Sequence, residues 1–169
     1  MLSGKRRGIV IFFGVDPGTQ VTGYGIIRSR GNTIYYEGAG IITTPRQASL
    51  PEKLECIYDG LLVKMGEFSP ECVSIEQAFY AKNINTTLVL GHARGVALLA
   101  AKKSGALVVE YTPREIKKAV VGNGNAAKSQ VSYMVKTMLR LPDRDIKTDM
   151  YDALATAICA FNNYQSLRY

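Results

Sequence analysis

The run Ile9-Val10-Ile11-Phe12-Phe13-Gly14-Val15 shows no alternation of apolar and polar residues, so a strand built from it must be covered on both faces. It ends at Asp16-Pro17-Gly18, where Pro and Gly stand in their favoured turn positions. The segments Gly23 to Ser29 and Thr33 to Thr43 are rich in Ile, Tyr and Thr and are separated by Arg30-Gly31-Asn32, as expected of two further antiparallel strands. The chain therefore opens with a three-stranded meander whose first strand lies inside the molecule.

Helical spacing begins after Ser49-Pro51. Leu50, Leu54, Ile57, Leu61, Met65 and Phe68 recur every three or four residues and stop before Pro70, which predicts an amphipathic helix crossing the sheet. Cys72 to Glu76 is expected to be a short buried strand and Ile84 to about Ser104 a long, weakly polar helix. Leu107 to Tyr111 returns to strand, Pro113 to Val121 to helix. After the turn at Gly122-Asn123-Gly124-Asn125, a helix is expected from Ala126 to Leu139 with Val131, Met134, Val135 and Met138 inward, and a last one from about Asp149 to Tyr164. No repeat or low-complexity tract interrupts this order.

A chain of 169 residues suits one domain, here taken as residues 1–169 with a flexible basic segment at 1–8. Cys56, Cys72 and Cys159 are far apart and lack metal-ligand spacing, which points to core-filling thiols and a reducing, cytoplasmic setting. Lys5-Arg6-Arg7 ahead of the first apolar run resembles a signal peptide, but the run is too short and leads directly into Asp16. Every apolar run is broken by charge or turn residues before the ~20 positions a bilayer needs, so no membrane partner is expected. Lys plus Arg outnumber Asp plus Glu by 21 to 14, a net charge of +7 that favours a polyanionic partner such as nucleic acid.

Against this basic background, acidic residues stand at the ends of core-forming elements. Asp16 closes the first strand and Glu76 closes Cys72-Val73-Ser74-Ile75, although Glu is depleted in strands. Asp149 and Asp152 are three apart, so on a helix they share a face. Each has a plain structural explanation: an Asp-Pro-Gly turn, an exposed strand end, and first-turn acids stabilised by the helix dipole. Together they point to one divalent cation site with oxygen ligands and, given the basic remainder, to a metal-dependent nuclease.

The motifs that carry these acids identify a resemblance. Gly14-Val15-Asp16-Pro17-Gly18-Thr19, Glu76-Gln77-Ala78-Phe79, Ala81-Lys82-Asn83, Gly91-His92-Ala93-Arg94-Gly95, Val120-Val121-Gly122-Asn123-Gly124, Lys128-Ser129-Gln130-Val131 and Asp149-Met150-Tyr151-Asp152-Ala153-Leu154-Ala155 resemble the RuvC family of crossover-junction endodeoxyribonucleases, within the RNase H-like superfamily. The resemblance covers nearly the whole chain. It implies an α/β fold with a mixed five-stranded sheet, three antiparallel strands and then two parallel, and helices on both faces. It further implies a homodimer that nicks four-way (Holliday) DNA junctions in recombination and repair, leaving 5′-phosphate and 3′-hydroxyl ends, and that works beside a branch-migration motor.

Carried onto this chain, the family's metal ligands and catalytic residues are Asp16, Glu76, Asp149 and Asp152, holding Mg²⁺ or Mn²⁺, two ions per site. Some members have His where this chain has Asp149; four carboxylates favour hard cations. Two bare carboxylates ~4 Å apart repel by roughly 4 kcal/mol at an effective dielectric of 20, so such a cluster needs protons or metal to be tolerable. Two-metal hydrolysis follows, one ion activating water and the other stabilising the leaving 3′ oxygen, with no Ser, Cys or His nucleophile. The resemblance assigns Phe79 to stacking on a base near the crossover and places Lys117 and Lys128 near the scissile phosphate. Lys82, Arg94, Arg114 and Lys118 are candidate backbone contacts. His92 has no second ligand nearby and is expected to be a packed or surface residue. Gly91 and Gly95 permit a close helix approach, within the monomer or, as the family implies, across a dimer.

Three rival readings remain. Gly122 to Ser129 nearly spells a phosphate-binding P-loop, but Ala127 occupies its last Gly position and the preceding segment reads as helix rather than strand. Asp16-Pro17-Gly18-Thr19 also resembles the first phosphate motif of actin-like sugar kinases, which need roughly twice the chain. The third is a non-catalytic, structure-selective junction-binding protein whose acids hold a structural metal.

Overall fold

The computed structural model describes residues 8–77, 83–142 and 147–164. The basic segment expected at the N-terminus falls outside these residues except for Gly8. In chain order the elements are β1 (Ile9–Asp16), β2 (Val21–Arg30), β3 (Thr33–Thr43), α1 (Leu50–Phe68), β4 (Cys72–Glu76), α2 (Ile84–Lys103), β5 (Leu107–Tyr111), α3 (Pro113–Val121), α4 (Lys128–Met138) and α5 (Thr148–Asn163). Expected and observed bounds differ mainly at two starts: β2 begins at Val21 and α4 at Lys128.

The five strands form one sheet in the order β3-β2-β1-β4-β5. β1 pairs antiparallel with β2 and parallel with β4, and β4 pairs parallel with β5. Neighbouring residues of β1 point to opposite faces, as a pleated strand requires. Phe12 joins Ile27, Cys72, Val135, Leu154 and Ile158 in one core, whereas Phe13 and Val15 join Ile26, Val73, Ile75, Ile57 and Leu61 in the other. The layers are therefore α1 and α2, the sheet, and then α3, α4 and α5, with the uninterrupted apolar strand between them.

Local sequence starts the helices. The Ser49 amide donates to Glu52 Oε2 at 2.6 Å and the Thr112 amide to Glu115 Oε2 at 2.7 Å, so a Glu caps the start of both α1 and α3 beside a Pro, and in α3 the Glu115 amide donates back to the Thr112 hydroxyl at 3.2 Å. Gly122, at φ 81°, ends α3 in the left-handed region. Cys72 and Cys159 are buried and Cys56 is half-buried; all three are free. Burial pushes the Cys72 and Cys159 thiols up to about 12, so both remain protonated core filling.

Helix α5 lies unusually close to the sheet. A Cβ added at Gly14 would stand 1.9 Å from the Ala153 carbonyl oxygen, one at Gly23 2.2 Å from that of Asp149, and one at Gly25 2.7 Å from Leu154 Cγ. These three strand positions must lack a side chain for the helix backbone to rest there. A hydrogen bond adds to the contact: the buried Ser74 hydroxyl of β4 donates to the Thr156 carbonyl at 3.0 Å, while within α5 the Thr156 hydroxyl donates back to the Asp152 carbonyl at 2.8 Å.

Helix α2 departs from expectation. Among the described residues it is the one helix long and apolar enough to cross a membrane by length and composition. Its Ile, Leu, Val and Ala residues carry this apolar character, and Thr, Gly, His92 and Arg94 keep it from forming an unbroken run. Ala93, Ala97, Ala100 and Ala101 are buried against the core shared with α1, while Ile84, Leu88 and Leu99 face outward. Gly91 and Gly95 meet nothing within 4 Å, so they do not serve packing inside this chain.

Candidate active site

Parallel pairing sets β1 and β4 side by side with Val15 opposite Ile75, so Asp16 and Glu76 follow at the same sheet edge. This is the carboxyl end of adjacent parallel strands, where open α/β sheets place their sites. Asp16 is also paired with Gly23, the residue on which the backbone of Asp149 rests; the Asp149 Cβ is 3.1 Å from the position a Gly23 Cβ would take. One helical turn position later Asp152 faces the same edge, its carboxylate 17% exposed and its Oδ2 accepting from Lys128 Nζ at 2.7 Å.

The electrostatics record the convergence. Burial, reinforced by Glu76, Asp152 and Asp149, raises the Asp16 carboxyl from 3.8 to about 8, with Lys128 opposing. Glu76 is also raised, chiefly by burial and then by Asp152, and is opposed by Lys128, a hydrogen bond with Asp16, and Lys117. Asp16 thus feels the other three acids, and Glu76 feels Asp152. Among the described residues no three of them close into a ready-made metal cage. The donor set, four carboxylates of which Asp16 and Glu76 are held back from ionising, still fits a hard divalent cation.

A pocket of about 240 Å³ opens beside these acids, lined by Glu76, Asp152, Lys117, Lys128 and the apolar Pro113, Ile116, Val131 and Ala155. Lys117 and Lys128 are therefore brought to the acids by α3 and α4. Arg114 and Lys118 line a separate pocket with Thr112 and the Gly122–Gly124 turn. Arg94 is not brought here: its Nη2 lies 2.5 Å from Glu110 Oε1 on β5, so the guanidinium expected to meet DNA backbone is held by an acid of its own chain. His92 is exposed and lines an apolar groove with Leu88, Gly91, Gly95 and Leu99. Phe79 and Lys82 lie outside the described residues.

The P-loop reading fails on context. Gly122 to Ala127 follows helix α3 instead of a strand, and the Asn123 side chain folds back to accept from the Asn125 amide at 2.9 Å. Residues that sequence reasoning passed over are Gly23, Ser74 and Thr156. Their signals were available: a Gly within a β-branched strand, a Ser inside a buried one, and a Thr amid the alanines of α5.

A mixed sheet flanked by helices, with acids gathered at the ends of its central strands, is the RNase H-like arrangement of a metal-dependent nuclease. The model of the family described as crossover junction endodeoxyribonuclease RuvC matches residues 12–160, and the chain belongs to this RuvC family. It is 45% identical over 159 residues to the crossover junction endodeoxyribonuclease RuvC of Shewanella frigidimarina, covering 94% of this chain and 91% of that protein. With the Ruminiclostridium cellulolyticum protein of the same description it is 44% identical over 156 residues, 92% of this chain and 94% of the relative. The Thermus thermophilus RuvC solved in complex with Holliday junction substrate superposes with a TM-score of 0.86 at 28% identity, covering 93% of this chain and 96% of that one.

The raised Asp16 carboxyl makes a stability prediction. Its folded value of about 8 against an ordinary 3.8 means that the folded protein holds a proton the unfolded chain releases. The stabilising contribution is full below the ordinary value and is lost as pH rises through the folded one. In EDTA, the Tm advantage of Asp16→Asn over wild type should grow from about pH 4 to about pH 8 and then level off. A pH-independent difference in calorimetry would refute the shift.

Proposed function

We propose that this chain is the endonuclease that resolves four-way DNA junctions, with Asp16, Glu76, Asp149 and Asp152 as its metal ligands. The observation that carries this reading is the gathering of these acids at one sheet edge, where Glu76, Asp152 and Asp149 all raise the Asp16 carboxyl, in a chain of net charge +7. Mg²⁺, with Mn²⁺ as substitute and two ions per site, suits the all-oxygen donor set. When bound there, such ions supply Lewis-acid polarisation of the phosphodiester and easier deprotonation of the attacking water, leaving 5′-phosphate and 3′-hydroxyl ends.

The chain's own residues divide the remaining work. Asp16 and Glu76 sit on rigid strand ends and fix one side of the ligand set, while α5 carries Asp149 and Asp152 as a unit. Lys117 and Lys128, at the pocket beside the acids, face an incoming phosphate. Arg114, Lys118 and Lys82 extend the basic surface along the DNA arms, and Phe79 stacks on an opened base beyond Glu76. A cytoplasmic, single-domain protein working beside a branch-migration motor is the setting this reading gives.

Two nicks on strands of like polarity call for two sites, and α2 offers the surface that joins them. Ile84, Leu88 and Leu99 are 79%, 58% and 51% exposed, and Gly91 and Gly95 between them leave open room for a second helix. This favours a C2 homodimer over membrane insertion, since the opposite face of α2 is packed into the core.

Glu76→Gln should lower cutting of a labelled four-way junction in Mg²⁺ by roughly 10²–10³-fold or more, while gel-shift affinity stays near wild type. Equal loss of binding and cutting would remove Glu76 from the ligand set, and Mg²⁺-independent nicks would remove the metal. Leu88→Asp combined with Leu99→Asp should convert a sedimenting dimer to a folded monomer. A monomeric wild type, or an unchanged dimer in the variant, would exclude α2 as the interface.

A further inference from the structure

We propose that Lys128 is an exchangeable counter-cation of the acidic site, holding Asp152 until a divalent ion displaces its ammonium. The inference rests on the reading of the four acids as metal ligands. Its geometric basis is the asymmetry of the Lys128–Asp152 pair: at 2.7 Å, a lysine side chain 71% exposed meets a carboxylate 17% exposed. The Arg94–Glu110 pair differs, with both partners 25% exposed and two guanidinium nitrogens on one oxygen, a fixed structural contact.

The placement of Lys128 is unfavourable for its own helix. It is the first residue of α4, where a cation opposes the helix dipole, and Ala127 before it has no side-chain oxygen to cap the turn. The helix is started instead by Gln130, whose Oε1 accepts from the Ala127 amide at 2.8 Å, and anchored by the buried Val131 and Val135. Position 128 therefore contributes little to α4 itself and much to the acids: Lys128 opposes the charge of both Asp16 and Glu76.

Its backbone is fixed by the helix while its four-carbon stem is solvated and free to swing. Lys128 also lines the pocket with Glu76 and Lys117, so an ammonium released from Asp152 has the same pocket open to it, where a substrate phosphate would enter. A compact, mobile monovalent charge is the kind of partner that a divalent ion outcompetes. A bidentate guanidinium such as Arg94's would resist that exchange.

The test is Mn²⁺ titration of the metal-free protein without DNA, read from the free-ion EPR signal. Lys128→Met should bind Mn²⁺ on the order of fivefold more tightly than wild type, the strength of an exposed ion pair. Lys117→Met makes the same charge change in the same pocket without the pair to Asp152, and should shift affinity by less than about twofold. Unchanged or weaker binding by Lys128→Met overturns the exchange, as does equal tightening in both variants, which would indicate a diffuse field. Wild type that binds no Mn²⁺, or Asp16→Asn that binds it equally well, overturns the four-acid site and the exchange together.

Discussion

Helix α5 rests on the sheet backbone to backbone, and the rest of the molecule is arranged around that contact. Gly14, Gly23 and Gly25 remove three side chains from the centre of β1 and β2, which lets the first turns of α5 sit directly over the strands. Asp149 thereby lies over Gly23, the antiparallel partner of Asp16, and Asp152 follows one turn position later. A helix held at the ordinary distance set by side chains would carry these two acids several ångströms from Asp16 and Glu76. The fold thus converts absent side chains into the convergence of distant acids.

That geometry is electrostatically costly, and the structure shows how the cost is met. Asp16 and Glu76 both resist ionisation, chiefly because of burial and then because of neighbouring charge, that of Glu76, Asp152 and Asp149 at Asp16 and that of Asp152 at Glu76. Lys128 offsets part of it through Asp152, and the Ser74–Thr156 hydrogen bond keeps the helix from moving away under repulsion. An acidic cluster assembled in this way is held together by packing elsewhere, consistent with perturbed groups gathering at functional sites.

Most of the element order was legible from periodicity, because β1 is uniformly apolar, α1 is amphipathic, and caps and glycines mark the ends. The acids were legible because Glu is out of place at the end of a buried strand and because Asp149 and Asp152 share a helical face. What was hidden depends on contacts between distant residues. Nothing local says that Arg94 meets Glu110 on a neighbouring strand. In α2 the usual rule is inverted: four alanines are buried while Leu88 and Leu99 point outward, so apolarity alone would have turned the helix the wrong way. Gly23 looked like strand filler because the residue above it is 126 positions later in the chain (149 − 23).

The most direct measurement is the Mn²⁺ affinity of Gly23→Ala, with Gly66→Ala as a control, since position 66 has open space around it. The added methyl at position 23 must push the Asp149 carbonyl, otherwise 2.2 Å away, off the strand. The account predicts Mn²⁺ binding weaker by on the order of tenfold or more in folded Gly23→Ala, with Gly66→Ala unchanged. Wild-type affinity in Gly23→Ala would contradict the claim that the contact of α5 with the strand glycines sets the acidic site.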